Sequence, residues 1–204
     1  MAAAVLTVIA LTILLPKELR PGPVGLAPGL EALLLLAMIV RDPGRISERS
    51  PLLRALSIGL VGLLVLASLL STTLLVNELI HGGKLTNSAD ELLAAGASVW
   101  ISTNIAFSLL YWELESGGSA ERLFNPRRYP DIAFPQDLAP EIVRAGWKPR
   151  YVDFLYLGFT NATAFSPTDA MPLVPWAKLT MALQSVISLV ILGLVIARAV
   201  NVFS

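Results

Sequence analysis

The chain contains no cysteine and a single histidine, His81. Without cysteine there is no disulfide, no thiol nucleophile and no cysteine-based metal site. One histidine excludes a histidine-rich metal cluster within one chain. Charge is also scarce. Asp, Glu, Lys and Arg make up 15% of the residues, against about 25% in an average soluble domain. The formal net charge is zero and the basic residues are scattered, so nothing favours nucleic acid as a partner. No nucleophile–base pair and no phosphate-binding glycine loop stands out, so neither an enzyme nor a cofactor is expected.

What is abundant is apolar sequence, 55% of 204 residues. Several runs approach or exceed the ~18 apolar residues that mark a membrane span. The expected class is an all-α polytopic protein of the cell membrane, in a bacterium the inner membrane, with lipid as its surroundings. The first run, MAAAVLTVIALTILLP, lacks a positive n-region and a small-x-small cleavage site, so it reads as a retained helix. Span one is about 2–15, ended by Pro16 and KELRPGP. Span two is about 24–40 and contains Glu31. Span three, about 52–80, is the longest. In HGGKLTNSADE, Ser88 followed by Glu91 fits a capping box that starts span four, about 90–114. Residues 115–150 are polar and proline-rich and belong outside the hydrocarbon. The final span is WAKLTMALQSVISLVILGLVIARAVNVF, 176–203.

Between them lies 151–172, YVDFLYLGFTNATAFSPTDAMP. Its apolar part is too short to cross alone, and extending it brings in Thr160, Asn161, Thr163, Ser166, Pro167, Thr168 and Asp169. Polar, irregular backbone at membrane depth survives only where protein or water satisfies it. The expectation is therefore five transmembrane helices plus one re-entrant pore helix and loop. Residues 1–85 would form a peripheral three-helix unit and 86–204 a pore module.

The order span, polar turret, short helix, polar loop, D-x-x-P, span resembles the pore module of tetrameric potassium-channel-like cation channels. Their signature reads roughly T-x-T-T-V-G-Y-G-D-x-x-P. Asp169-Ala170-Met171-Pro172 falls on D-x-x-P, and Thr160 and Thr163 fall on threonines of the short-helix end. Ala164-Phe165-Ser166-Pro167-Thr168 replaces the filter. The resemblance implies a homotetramer, inorganic ions as permeants, and Gly193 as an inner-helix hinge. It does not imply potassium selectivity. Both filter glycines, which allow φ > 0, are replaced by Ser166 and Thr168, and Pro167 removes an N–H. The region is also similar to a family of uncharacterised bacterial integral membrane proteins, through Phe134-Pro135 and Asp153-Phe154-Leu155-Tyr156.

Each residue has a second reading. Asp169 either draws cations or hydrogen-bonds behind the loop. The threonine and serine hydroxyls either meet a permeant or cap a helix. Phe165 either gates by dewetting or packs. Asn104 fits a hydrogen bond to a neighbouring helix. Tyr111, Trp112 and Trp176 fit interfacial anchors. A passive pore for cations or small solutes is one functional expectation. A non-conducting structural or sensory relative is another, and a proton-coupled carrier using Glu31, Glu78 and His81 is a third. Arg41, Arg45 and Arg49 in the second loop and the basic residues of 115–150 place both of these loops in the cytoplasm by the positive-inside rule, opposite to the channel-like orientation.

Overall fold

The computed structural model describes residues 1–23, 25–41, 51–82, 88–163 and 170–203. The described fold is helical. Helices α1 (Ala2–Leu14), α2 (Leu26–Arg41), α3 (Pro51–His81), α4 (Ala89–Leu114), α5 (Ser119–Phe124), α6 (Pro135–Leu138), α7 (Tyr151–Thr163) and α8 (Pro175–Phe203) follow one another, with two-residue strands β1 (Ile132–Ala133) and β2 (Met171–Pro172). Three stretches, Pro51–His81, Ala89–Gly117 and Pro175–Val200, are long and apolar enough to cross a membrane. α1 and α2 are shorter apolar helices of 13 and 16 residues, about 20 and 24 Å long at 1.5 Å per residue.

Local sequence explains the ends. The Ser88 hydroxyl accepts from the Glu91 backbone N–H at 3.4 Å, and Asp90 and Glu91 lie in the first turn of α4, where the helix dipole favours negative charge. Pro175 opens α8, a position where its missing N–H costs nothing. At the close of α4 the chain turns through Ser116, Gly117 and Gly118, all at positive φ. A Cβ on Gly118 would meet the Arg54 guanidinium, so this turn requires glycine.

The long helices run antiparallel in sequence, and the packed clusters order them along the bundle. At one end Leu15 and Leu19 meet Leu75, Leu79, Leu92 and Ala199. At the other, Phe107, Tyr111, Ile132, Phe154, Ala177 and Met181 form an aromatic-rich core. We call the second the near end, since it carries 115–150, and the first the far end. α1 and α3 pack on α4, and α3 also reaches α8, so the first three helices join the same bundle.

α7 is the exception to the up-and-down pattern. Tyr151, at its start, stacks edge-on against Trp112 at the near end of α4. Phe159, two turns later, meets Trp100, farther down α4. Yet β2, after α7, pairs antiparallel with β1, before it, in the register Ile132↔Pro172 and Ala133↔Met171. The Leu173 N–H also donates to Asp131 O at 2.9 Å. The chain thus descends along α7 for 13 residues and returns to the end it left.

Candidate functional site

α7 is held against α4 and α8 by a buried amide cluster. Gln184 on α8 lies at its centre. Its Oε1 accepts from Tyr111 OH at 2.7 Å and from Asn161 Nδ2 at 2.8 Å. Its Nε2 donates to Asn104 Oδ1 at 3.1 Å and to Gly158 O at 3.0 Å. A backbone carbonyl can only accept, so Gly158 O fixes which way the Gln184 amide faces. All four of its hydrogen-bonding positions are used. Asn161 Nδ2 also donates to Met181 O at 2.9 Å, and its Oδ1 accepts from Ser185 Oγ at 3.1 Å. Gly158 lets the helices approach, since a Cβ there would collide with Ser108 Oγ on α4. Asn104 lies ten residues before the end of α4, so the cluster sits about 15 Å below the near end.

Asn104 therefore makes the interhelical bond expected of it. Tyr111 does not act as an interfacial anchor. It is fully buried, because its hydroxyl has a partner inside the bundle and its ring packs beside Phe107. Asn161, first residue of an Asn-Ala-Thr sequon, is buried with its amide engaged, which leaves no room for a glycan at that nitrogen.

The head of α7 brings together Phe134-Pro135 and Asp153-Phe154-Leu155-Tyr156. The Phe134 and Phe154 rings meet edge-on at 5.1 Å. Asp153 Oδ2 accepts from the Arg150 N–H and caps the helix. Pro135, Asp153, Tyr156, Thr160 and Ala170 border a pocket of about 80 Å³.

The predicted pathway residues are only partly within the described structure. Thr160 is half-buried and its hydroxyl donates to Tyr156 O at 3.0 Å. Thr163 is exposed and donates to Phe159 O at 2.9 Å. Both hydroxyls satisfy the helix's own carbonyls. Ala164, Phe165, Ser166, Pro167, Thr168 and Asp169 lie outside the described residues. Gly193 lies on the exposed side of an unbroken α8. Nothing approaches within 4 Å of where its Cβ would be.

A charged cap covers the near end. Glu115, 2% exposed, faces Arg122 Nη1 at 3.6 Å. The Arg122 guanidinium donates to Trp112 O and Glu115 O, both at 2.8 Å, and lies over the Trp112 ring at 4.3 Å. Burial pulls Arg122 below its usual range, and Glu115 and Glu113 oppose that. Asp131 accepts from the Ser116 N–H at 3.0 Å and donates its own N–H to Glu115 at 3.1 Å. These bonds fasten the segment carrying β1 to the end of α4, and β1 in turn receives β2. Sequence reasoning missed this cap, whose signal was a run of acidic residues, Glu113 and Glu115, beside a Gly-Gly turn.

Among the described residues, no group of three or more His, Asp or Glu could hold a metal ion. Glu31 accepts no hydrogen bond, so no bond joins it to Glu78 or His81. No family model, no curated protein and no solved structure matches this chain.

Proposed function

We propose that the chain is a multi-pass membrane protein crossed by α1–α4 and α8, into which α7 and residues 164–169 dip and return at one face. In this reading four copies gather their α7 C-termini around a shared axis. They form a passive path for cations or small solutes, lined by residues 163–169.

The observation that carries the reading is the return of the chain to β1 after the half-length descent of α7. α7 ends at Thr163, two residues beyond the buried amide cluster. A helix C-terminus carries about half a negative charge, so four of them at mid-depth favour cations. The outward faces of α7 and α8 are apolar, with Val152, Tyr156, Phe159, Leu179, Leu183 and Val186 exposed. They suit lipid or a neighbouring subunit. α1 and α2 fall short of the ~30 Å hydrocarbon core, a mismatch that local thinning accommodates. Arg122, Arg127, Arg128, Arg144, Lys148 and Arg150 all lie in the segment at the near end, so the near end faces the cytoplasm.

One observation favours a non-conducting relative of the same architecture. Gln184, at the centre of the amide cluster, has all its hydrogen-bonding positions engaged within one protomer, as a structural clamp would. Two measurements separate the readings. The native mass in lipid nanodiscs is expected to be that of a tetramer. Reconstituted tetramers are expected to pass cations, with flux reduced in Asp169→Asn and altered in Thr163→Ala. A monomer or dimer leaves too few loops to close a ring and contradicts the pore, and a tetramer silent to every cation supports the structural reading.

A further inference from the structure

A second feature lies away from α7, among α1, α2 and α3. Glu31 on α2 has no exposed surface, and neither of its carboxylate oxygens has a hydrogen-bond partner. An isolated buried carboxylate is strongly disfavoured unless paired, and the alternative is to hold a proton.

α2 packs against α1 and α3. Leu35, one turn beyond Glu31, sits among Val8, Ile9, Val61 and Leu64. The next turn on each of those helices, toward the far end, carries the buried hydroxyls Thr12 and Ser68, with Thr72 beyond. Residues three and four apart share a helix face, so Thr12 and Ser68 occupy the layer of Glu31, while Thr72, a turn farther on, meets Thr103 on α4 at 3.5 Å. Each has already committed its proton. Thr12 donates to Val8 O at 2.9 Å, Ser68 to Leu64 O at 2.8 Å and Thr72 to Ser68 O at 2.8 Å. What remains is lone pairs, which can accept from a carboxylic acid but offer nothing to a carboxylate.

Among the described residues no cation answers Glu31 either. α1 has no charged side chain, and on α3 Arg54, Glu78 and His81 lie at the two ends. Beyond Glu31, α2 carries only Arg41, at its opposite end. In the turn between α1 and α2, Lys17 and Glu18 are exposed. Arg20 there is committed to α1, donating to Leu15 O at 2.7 Å and Ile13 O at 2.8 Å.

A pocket also lies one helical turn from Glu31. Thr12, Arg20, Pro23, Gly25 and Pro28 border this pocket of about 120 Å³ at the far end, more than the roughly 15 Å³ that one water needs. Pro28 precedes Glu31 by three residues, on the same face of α2, and Thr12 belongs both to the pocket wall and to the hydroxyl layer. We infer that Glu31 is a reversible proton-binding site, reached from the far end through the pocket beneath Arg20. The ligand is a proton from water. The site is independent of the pore reading, since no residue of α7 or α8 takes part.

The test uses the full chain in liposomes and N,N′-dicyclohexylcarbodiimide as probe. A protonated carboxyl gives its proton to a carbodiimide nitrogen, and its oxygen adds to the central carbon. The O-acylisourea so formed rearranges to a stable N-acylurea, which peptide mass mapping locates. The expected result is an adduct on Glu31 in the wild-type chain, absent in Glu31→Gln. Its formation rate should fall about tenfold for each pH unit above the midpoint of the group. A water-soluble carbodiimide should label the same residue, and several-fold more slowly in Thr12→Phe, which narrows the pocket. No adduct on Glu31 at any pH, or labelling independent of pH, overturns the inference. Protection by sodium but not potassium at fixed pH also overturns it, because the site would then hold a metal cation. Equal labelling of wild type and Thr12→Phe by the water-soluble reagent overturns the route.

Discussion

Asn161 on α7 donates to Gln184 on α8 at 2.8 Å, and Gln184 donates in turn to Asn104 on α4 at 3.1 Å. One side chain thus joins three helices at one level. Gln184→Leu keeps the volume and leaves Tyr111, Asn161, Asn104 and Gly158 each short of a partner. An unsatisfied buried group costs about 1–3 kcal/mol. The variant is expected to unfold at lower temperature in detergent. Combined with Asn161→Leu, it should lose less than the sum of the single effects, since both variants cut the same network. Additive losses would mean that the two residues act separately.

Gly158→Ala tests the close approach of α7 to α4. Its Cβ meets Ser108 Oγ, and overpacking of this kind costs about 1–3 kcal/mol. Ser108→Gly in the same chain removes the obstacle and is expected to restore part of the loss in thermal unfolding. Failure of that rescue would place the cost elsewhere.

Arg122→Ala leaves Glu115 buried beside no cation. Breaking a buried pair from one side costs about 3–5 kcal/mol. Arg122→Lys keeps the charge but loses the flat guanidinium that lies over the Trp112 ring and whose Nη1 donates to both Trp112 O and Glu115 O, so an intermediate melting temperature is expected. A lysine variant no better than alanine would show that the hydrogen-bond geometry, not the charge, holds the cap.

Much of this architecture could be read from the chain. The three longest apolar helices have almost the expected bounds, because length and composition alone set them. The Ser88 cap is local, and local signals survive translation into structure. The amide cluster was harder to see. Tyr111 and Gln184 are 73 residues apart and Asn104 and Gln184 are 80 apart, and a single polar residue in an apolar helix does not name its partner. Tyr111 was misread for this reason, since a tyrosine near a helix end fits an interfacial anchor as well as a core. The segments Phe134-Pro135 and Asp153–Tyr156 were noticed as pieces, but only the fold brings their rings within 5.1 Å. Glu31 fitted either an interfacial or a buried site until packing put it out of contact with solvent.

The central claim is that the chain enters and leaves by one face around α7. The sequence has no cysteine, so single-cysteine variants report topology without background. Lys148→Cys precedes α7, Leu173→Cys follows it and Glu18→Cys marks the far end, and all three positions are exposed. The measurement is labelling by a membrane-impermeant maleimide in sealed vesicles of known orientation. The account predicts that positions 148 and 173 label from the same side and position 18 from the other. Labelling of 148 and 173 from opposite sides would mean that this segment crosses completely, and would contradict the account.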